Sequence, residues 1–231
     1  MRPPTFAGLG KSLAAEVHTA PVRRTGVPEA QRRRHWDDRY SASSTDGVSW
    51  FQERPAASLE LVAVAGPQRT ASLIDVGGGT ARLVDYLVAD GWSDITVLDL
   101  SDVALDEARA RVGPNPRAHW IEQDLLTWHP SRRYDIWHDR AVFHFLVGDG
   151  ERQQYRHVMR EALAPNATVI VGTFADDGPD QCSGLPVARY DAEALVSALG
   201  VTCDVLATRR EEHITPQGNK QPFTWVVLRL Q

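Results

Sequence analysis

The chain lacks the features that mark disulfide-stapled, membrane-spanning or nucleic-acid-coating proteins. It has only 2 cysteines in 231 residues. Cys182 and Cys203 stand too far apart for a CxxC pair, so neither a disulfide framework nor a zinc knuckle is expected. Apolar runs such as Ala167 to Phe174 fall far short of the roughly 20 residues that cross a bilayer, and no signal-peptide pattern opens the sequence. These absences predict a cytoplasmic chain in a reducing compartment, with no membrane partner. Acids are scarce before Glu29, as in organelle transit segments, but serines and a clear amphipathic period are scarce there too. Positive charge is not in excess either: the formal net charge is -5, which argues against a nucleic-acid polymer as partner. The one basic cluster is Arg23, Arg24, Arg32, Arg33, Arg34 and Arg39. It reads as a solvated helix face with a tail, or as a contact for an acidic ligand.

What is present is enough apolar material for a core, 42% of positions, in a chain the size of one large α/β domain. Residues 1–28 carry Pro3, Pro4, Pro21 and Pro28 without a sustained apolar period, predicting a loosely packed arm before a single domain over 29–231. Helical spacing begins at Pro28-Glu29 and runs through Tyr40; a second helix is predicted over Ala56 to Val64. Strand-like runs follow at Ser72 to Val76, Ile95 to Leu98, Ala118 to Glu122, Tyr134 to His138 and Ala167 to Phe174. Helical segments at Thr80 to Ala89, Val103 to Val112 and Glu151 to Leu163 separate most of them. Such alternation predicts an α/β fold with a mostly parallel sheet covered on both faces. A helix near Asp191 to Leu199, a strand at Thr202 to Ala207 and a last strand at Phe223 to Leu230 complete the pattern. Gly218-Asn219 suits a hairpin-like reversal, so an antiparallel pair is expected at one sheet edge.

The first strand runs into Asp75-Val76-Gly77-Gly78-Gly79-Thr80-Ala81 and then into a helix. Glycine is needed where a chain turns sharply and where backbone must approach a ligand. A dinucleotide fingerprint, G-x-G-x-x-G from Gly77, fails at its last position, where Arg82 stands in place of a small residue. An acid two residues before G-x-G, followed by a small residue, is satisfied by Asp75, Gly77, Gly79 and Ala81. That pattern resembles motif I of class I S-adenosyl-L-methionine-dependent methyltransferases, although Ala81 replaces a frequent glycine. Asp99, followed by Leu100, ends the second strand, where a carboxylate can accept two hydrogen bonds from ribose hydroxyls; NAD-binding folds use the same device. The resemblance further implies that Asp124 receives the adenine amino group, that Leu125 packs near the ring, and that the fold is a Rossmann-like seven-stranded sheet. His35-Trp36-Asp37-Asp38-Arg39-Tyr40 and Val48-Ser49-Trp50-Phe51 resemble the N-terminal element of the elongation-factor lysine methyltransferase group. By that resemblance Trp36, Tyr40 and Trp50 fold over the methionine end, where ring faces attract a sulfonium; core packing is the alternative role.

Ligands in open α/β sheets lie beyond the carboxyl ends of the strands, which draws attention to Trp137 through Phe145. The N-P-P-Y or D-P-P-Y tetrapeptide typical of base-methylating enzymes is absent. His138, Asp139 and His144 are the candidate catalytic groups for deprotonating an acceptor, and Phe143 a candidate substrate contact. Their spacing is not that of metal ligands, so no metal is expected. The loop Asp176 to Tyr190 is rich in specific side chains and is predicted to form an acceptor-binding lid. Within it Cys182 would line the pocket, and Arg189 and Tyr190 would hold a carboxylate or phosphate; His213 would form a second wall. The function implied is methyl transfer from S-adenosyl-L-methionine to a small-molecule acceptor. Protein lysine methylation is the runner-up, and a NAD-dependent oxidoreductase or a noncatalytic S-adenosylmethionine-binding module are the alternatives of another class. Oligomeric state is not readable from the sequence.

Overall fold

The computed structural model describes residues 27–42, 44–66 and 68–231. The arm expected over residues 1–28 therefore lies almost wholly outside the described residues. Helices α1 (Glu29–Ala42) and α2 (Ala56–Val64) precede β1 (Leu73–Val76), α3 (Leu83–Ala89), β2 (Ile95–Asp99), α4 (Asp102–Val112) and β3 (Ala118–Glu122). There follow β4 (Tyr134–Arg140), a 3-10 turn at Phe143–Phe145, α5 (Asp149–Ala162), β5 (Leu163–Phe174) and a two-residue hairpin of β6 (Gln181–Cys182) and β7 (Leu185–Pro186). The chain closes with α6 (Ala192–Leu199), β8 (Cys203–Ile214) and β9 (Lys220–Leu230).

One seven-stranded sheet has the order β3-β2-β1-β4-β5-β9-β8. The first five of these strands run parallel, while β9 pairs antiparallel with both β5 and β8. The antiparallel edge expected from Gly218-Asn219 is present: Thr215 N–H reaches Asn219 O at 2.9 Å and Gly218 N–H reaches Thr215 O at 2.8 Å, closing the β8–β9 turn. Because strand side chains alternate, the sheet sorts its apolar residues into two cores. Leu73, Ile136, Ile170 and Trp225 face α2, α3 and α4, whereas Ile74, Trp137, Val169 and Val226 face α5 and α6. Local signals set the helix ends: Ser101 caps α4 by accepting from Ala104 N–H, Asp191 caps α6 by accepting from Ala194 N–H, and Gly200 at φ 57° ends α6.

Two element boundaries differ from expectation in ways that matter. The helix expected from Thr80 begins only at Leu83, because Ala81 N–H bonds Gly78 O at 2.8 Å and closes a turn first. Strand β8 continues through Ile214, since its pairing with β9 holds from Cys203↔Leu230 to Ile214↔Lys220. His213 therefore stands in a strand and not in a loop. Helix α1 has no fully buried residue; it lies outside both cores and is held by polar contacts and by Trp36 and Tyr40. Among the described residues, no helix is long and apolar enough to cross a membrane.

Candidate functional site

At the carboxyl ends of β1, β2 and β4 the chain leaves a cleft of about 900 Å³, part of it open to solvent, within the size range of small-molecule sites. Its floor begins at Gly77, with φ 64°, where an added Cβ would lie 2.1 Å from Val142 Cγ2. Only glycine fits such a crossing. At Gly79, with φ 44°, an added Cβ would fall 2.5 Å from Tyr40 Oη and 3.1 Å from Asp99 Oδ2, so the loop passes directly beneath α1 and beside the end of β2. Ala141, also at positive φ (71°), turns the chain sharply after β4 and borders the same cleft.

Asp99 lies at the base, 6% exposed. Its carboxyl accepts Ser101 N–H at 2.8 Å, and the Leu100 and Gly79 N–H groups also bond it. Burial outweighs these donors and pushes the Asp99 carboxyl up to about 6. Leu98, Leu100, Leu125 and Leu126 make the apolar wall on the β2–β3 side, with the polar Gln123 among them. Asp124 borders the cleft with both oxygens engaged: Oδ1 accepts Leu126 N–H at 2.9 Å, and Oδ2 accepts from Arg32 Nε at 3.1 Å and from Arg32 Nη2.

The roof is aromatic. Trp36 meets Trp50 edge-on at 6.0 Å and Phe145 at 5.2 Å, while Tyr40 meets Trp50 at 5.8 Å; all four border the cleft. Arg33 ties the same helix to Glu122 and to Leu100 O, and Ser101 Oγ donates to Asp37 Oδ1 at 2.6 Å. Thus Arg32 and Arg33, expected on a solvated face or at an acidic ligand, fasten α1 across the ends of β2 and β3; Arg23 and Arg24 lie outside the described residues.

A smaller recess adjoins the cleft, bordered by Gly77, Gly78, Ala81, Asp75, Ser58, His138, Trp50 and Arg140. Asp75 and His138 are paired in register on neighbouring strands, and their side chains meet: His138 Nδ1 lies 2.7 Å from Asp75 Oδ1. The other ring nitrogen, Nε2, lies 3.0 Å from Ser58 Oγ on α2. With both nitrogens engaged and 2% exposure, His138 has no free nitrogen for an acceptor proton. It instead fixes the buried Asp75 carboxyl beneath the glycine loop.

Several expected catalytic and substrate-binding residues lie elsewhere. Asp139 follows His138 along the strand and so points to the opposite sheet face. There it accepts Val142 N–H at 2.9 Å, Phe143 N–H at 3.1 Å and Tyr155 Oη–H at 2.7 Å, and burial pushes it up to about 6. Phe143 is fully buried against Tyr155 and Tyr190; its neighbour Phe145 borders the cleft in its place. His144 is fully buried, held at about 3 chiefly by burial and secondarily by the Arg140 charge, so it is neutral at neutral pH. Arg189 donates to Gly178 O at 2.9 Å within its own loop, and Tyr190 packs on Phe143 at 5.8 Å; neither borders the cleft. His213 donates from Nε2 to Ser49 O at 2.8 Å and supports the Trp50 segment from behind. Of the predicted lid, Cys182 does reach the cleft, carried by the β6–β7 hairpin whose tip, Ser183-Gly184, has positive φ at both residues. Arg140, Phe145 and Arg32, which sequence patterns had not assigned to the site, all border it. Among the described residues, no group of three or more His, Cys, Asp or Glu side chains is arranged to hold a metal ion.

Residues 73–166 match the family described as a methyltransferase domain. Malonyl-[acyl-carrier protein] O-methyltransferase 1 of Ilyobacter polytropus is 25% identical over 118 residues, covering 51% of this chain and 43% of that protein. EEF1A lysine methyltransferase 4 of Bos taurus is 25% identical over 174 residues, covering 72% of this chain and 65% of that protein. The matches thus span less than two thirds of the length of either relative. The crystal structure of N-methyltransferase NodS from Bradyrhizobium japonicum WM9, in complex with S-adenosyl-L-homocysteine, superposes with a TM-score of 0.61 at 15% identity, covering 78% of this chain and 89% of NodS. The matched segment spans the glycine loop, the Asp99 strand end and the terminus of β4, so over these residues the chain is similar to methyltransferase domains, and the sheet order is that of a Rossmann-like methyltransferase fold.

Proposed function

We propose that the chain transfers a methyl group from S-adenosyl-L-methionine to a small-molecule acceptor, releasing S-adenosyl-L-homocysteine. The carrying observation is the convergence, at one cleft, of the glycine loop, the buried Asp99 carboxyl and the aromatic roof of Trp36, Tyr40 and Trp50. These groups suit the cofactor by chemistry: a carboxylate for a ribose diol, apolar walls at Leu100 and Leu125 for a flat base, and ring faces for a cation. Asp124 would have to share an oxygen already bound by Arg32 or by Leu126 N–H to accept an adenine amino group.

When bound, S-adenosylmethionine supplies a methyl carbon already activated by the sulfonium. The protein's task is then to orient the acceptor and exclude water. None of His138, Asp139 and His144 borders the main cleft, which favours an acceptor that loses its proton without a protein base. In this assignment His138 is a positioning residue acting through Asp75. Trp36, Trp50 and Phe145 roof the cleft with packed rings, which supports a small acceptor over a lysine on a folded protein surface.

Calorimetric titration with S-adenosylhomocysteine and with NAD tests the cofactor assignment. S-adenosylhomocysteine should bind and NAD should not; binding of NAD alone would overturn it.

A further inference from the structure

Arg140 ends β4 on the wall shared by the cleft and the recess, bordering both. Its Nη1 donates to Trp50 O at 3.1 Å, and its guanidinium lies over the Phe223 ring, 4.7 Å from the centroid. Its Nε and Nη2 have neither solvent nor a hydrogen-bond partner. Among the described residues, no carboxylate forms an ion pair with it. The two acids whose charge it feels are committed elsewhere. Asp75 is bound to His138 at 2.7 Å, and Glu211 accepts from Gln52 at 2.7 Å and from Trp225 Nε1 at 2.8 Å. A guanidinium shielded from water, with free donors and no counter-ion, is unfavourable. It is rare unless a ligand completes it.

The surroundings specify what that ligand carries. His144 accepts Phe174 N–H at Nδ1, at 3.5 Å, which leaves the proton of the neutral ring on Nε2, another buried atom without a partner. The orphaned groups that border the cleft and the recess, Nε and Nη2 of Arg140, are both donors, whereas His144 borders neither space. The residues around the guanidinium also come from the half of the site away from the ribose and adenine stations: Cys182 from the β6–β7 hairpin, His213 from β8, and Trp50. The ribose and adenine stations stand at the ends of β2 and β3, whereas the glycine loop at the end of β1 shares the recess with Arg140.

We propose that Arg140 anchors an anionic group of the methyl acceptor, a carboxylate or an anion of similar size, held in the fork of Nε and Nη2. The proposal rests on the methyltransferase assignment above. The acceptor is then an apolar or aromatic body, suited to Trp50, Phe145 and Val142, carrying one negative group.

The test uses the protein saturated with S-adenosylhomocysteine and two matched probe pairs, benzoate with benzamide and hexanoate with hexanamide, titrated by calorimetry. Each carboxylate is expected to bind at least about ten-fold more tightly than its amide, the range of a charge-assisted hydrogen bond. Arg140→Gln should abolish that preference, and Arg140→Lys, which keeps the charge, should retain part of it, while both variants hold S-adenosylhomocysteine within about three-fold of the wild-type affinity. Equal binding of carboxylate and amide by the wild type, or no binding of either, would overturn the proposal. A loss of about ten-fold or more in S-adenosylhomocysteine affinity in Arg140→Gln would also overturn it, by assigning the guanidinium to the cofactor's own carboxylate. If S-adenosylhomocysteine fails to bind the wild type at all, the methyltransferase assignment falls first.

Discussion

Asp99 offers a prediction whose size follows from its surroundings. To accept two ribose hydroxyls its carboxyl must be ionised, yet burial pushes it from 3.8 to about 6. About one molecule in ten is then ionised at pH 5 and nearly all at pH 8. S-adenosylhomocysteine affinity should therefore fall about ten-fold from pH 7 to pH 5 and stay flat from pH 7 to pH 8. Asp99→Asn removes the charged acceptor, a loss of about 1.5–3 kcal/mol, and should raise Kd about 10- to 150-fold at pH 7. The sign for stability is opposite. A raised folded-state pKa contributes stability that is complete below about pH 4 and lost as pH rises through about 6, here about 3 kcal/mol at about 1.4 kcal/mol per unit. The ligand-free Asp99→Asn protein should thus lose less thermal stability between pH 4 and pH 8 than the wild type. The assay is calorimetric titration of both proteins at pH 5, 6, 7 and 8, reading the ratio of their affinities, in which the ligand's own ionisations cancel. A ratio that does not change between pH 5 and pH 8 would refute the role given to the Asp99 carboxylate.

Three further perturbations probe the floor, the support and the roof. Gly77→Ala places a Cβ against Val142 at positive φ and should lower stability by about 1–3 kcal/mol in urea unfolding, as well as weaken cofactor binding; a wild-type midpoint would show that the loop can relax. His138→Ala strands the buried Asp75 carboxyl and should be destabilising by about 3–5 kcal/mol, whereas Ser58→Ala should be destabilising by only about 1 kcal/mol. A normally stable His138→Ala that has lost only turnover would return His138 to catalysis. Trp50→Ala should weaken S-adenosylmethionine more than S-adenosylhomocysteine, by about 2- to 30-fold, because only the former is a sulfonium cation; equal losses would place the ring away from the sulfur.

The architecture was legible because buried parallel strands are apolar runs separated by helices with ordinary caps, such as Ser101 and Asp191. The glycine loop was legible for a steric reason, since Gly77 admits no side chain. The acceptor side was less so. Alternation along β4 already separates His138 and Arg140 from Trp137 and Asp139, and applying it would have removed Asp139 and drawn attention to Arg140. Nothing local reveals that Arg189 satisfies a carbonyl in its own loop, or that Arg32 reaches Asp124 across 92 residues of chain. Such pairings depend on how separate segments pack, which a single sequence does not encode in any short window.

The most direct measurement of the central claim is a crystal structure of the protein grown with S-adenosylhomocysteine. The ribose hydroxyls should lie on Asp99, the adenine beside Leu100 and Leu125, and the thioether beneath Trp36, Tyr40 and Trp50. A ribose placed away from Asp99, or a ligand bound outside this cleft, would contradict the account.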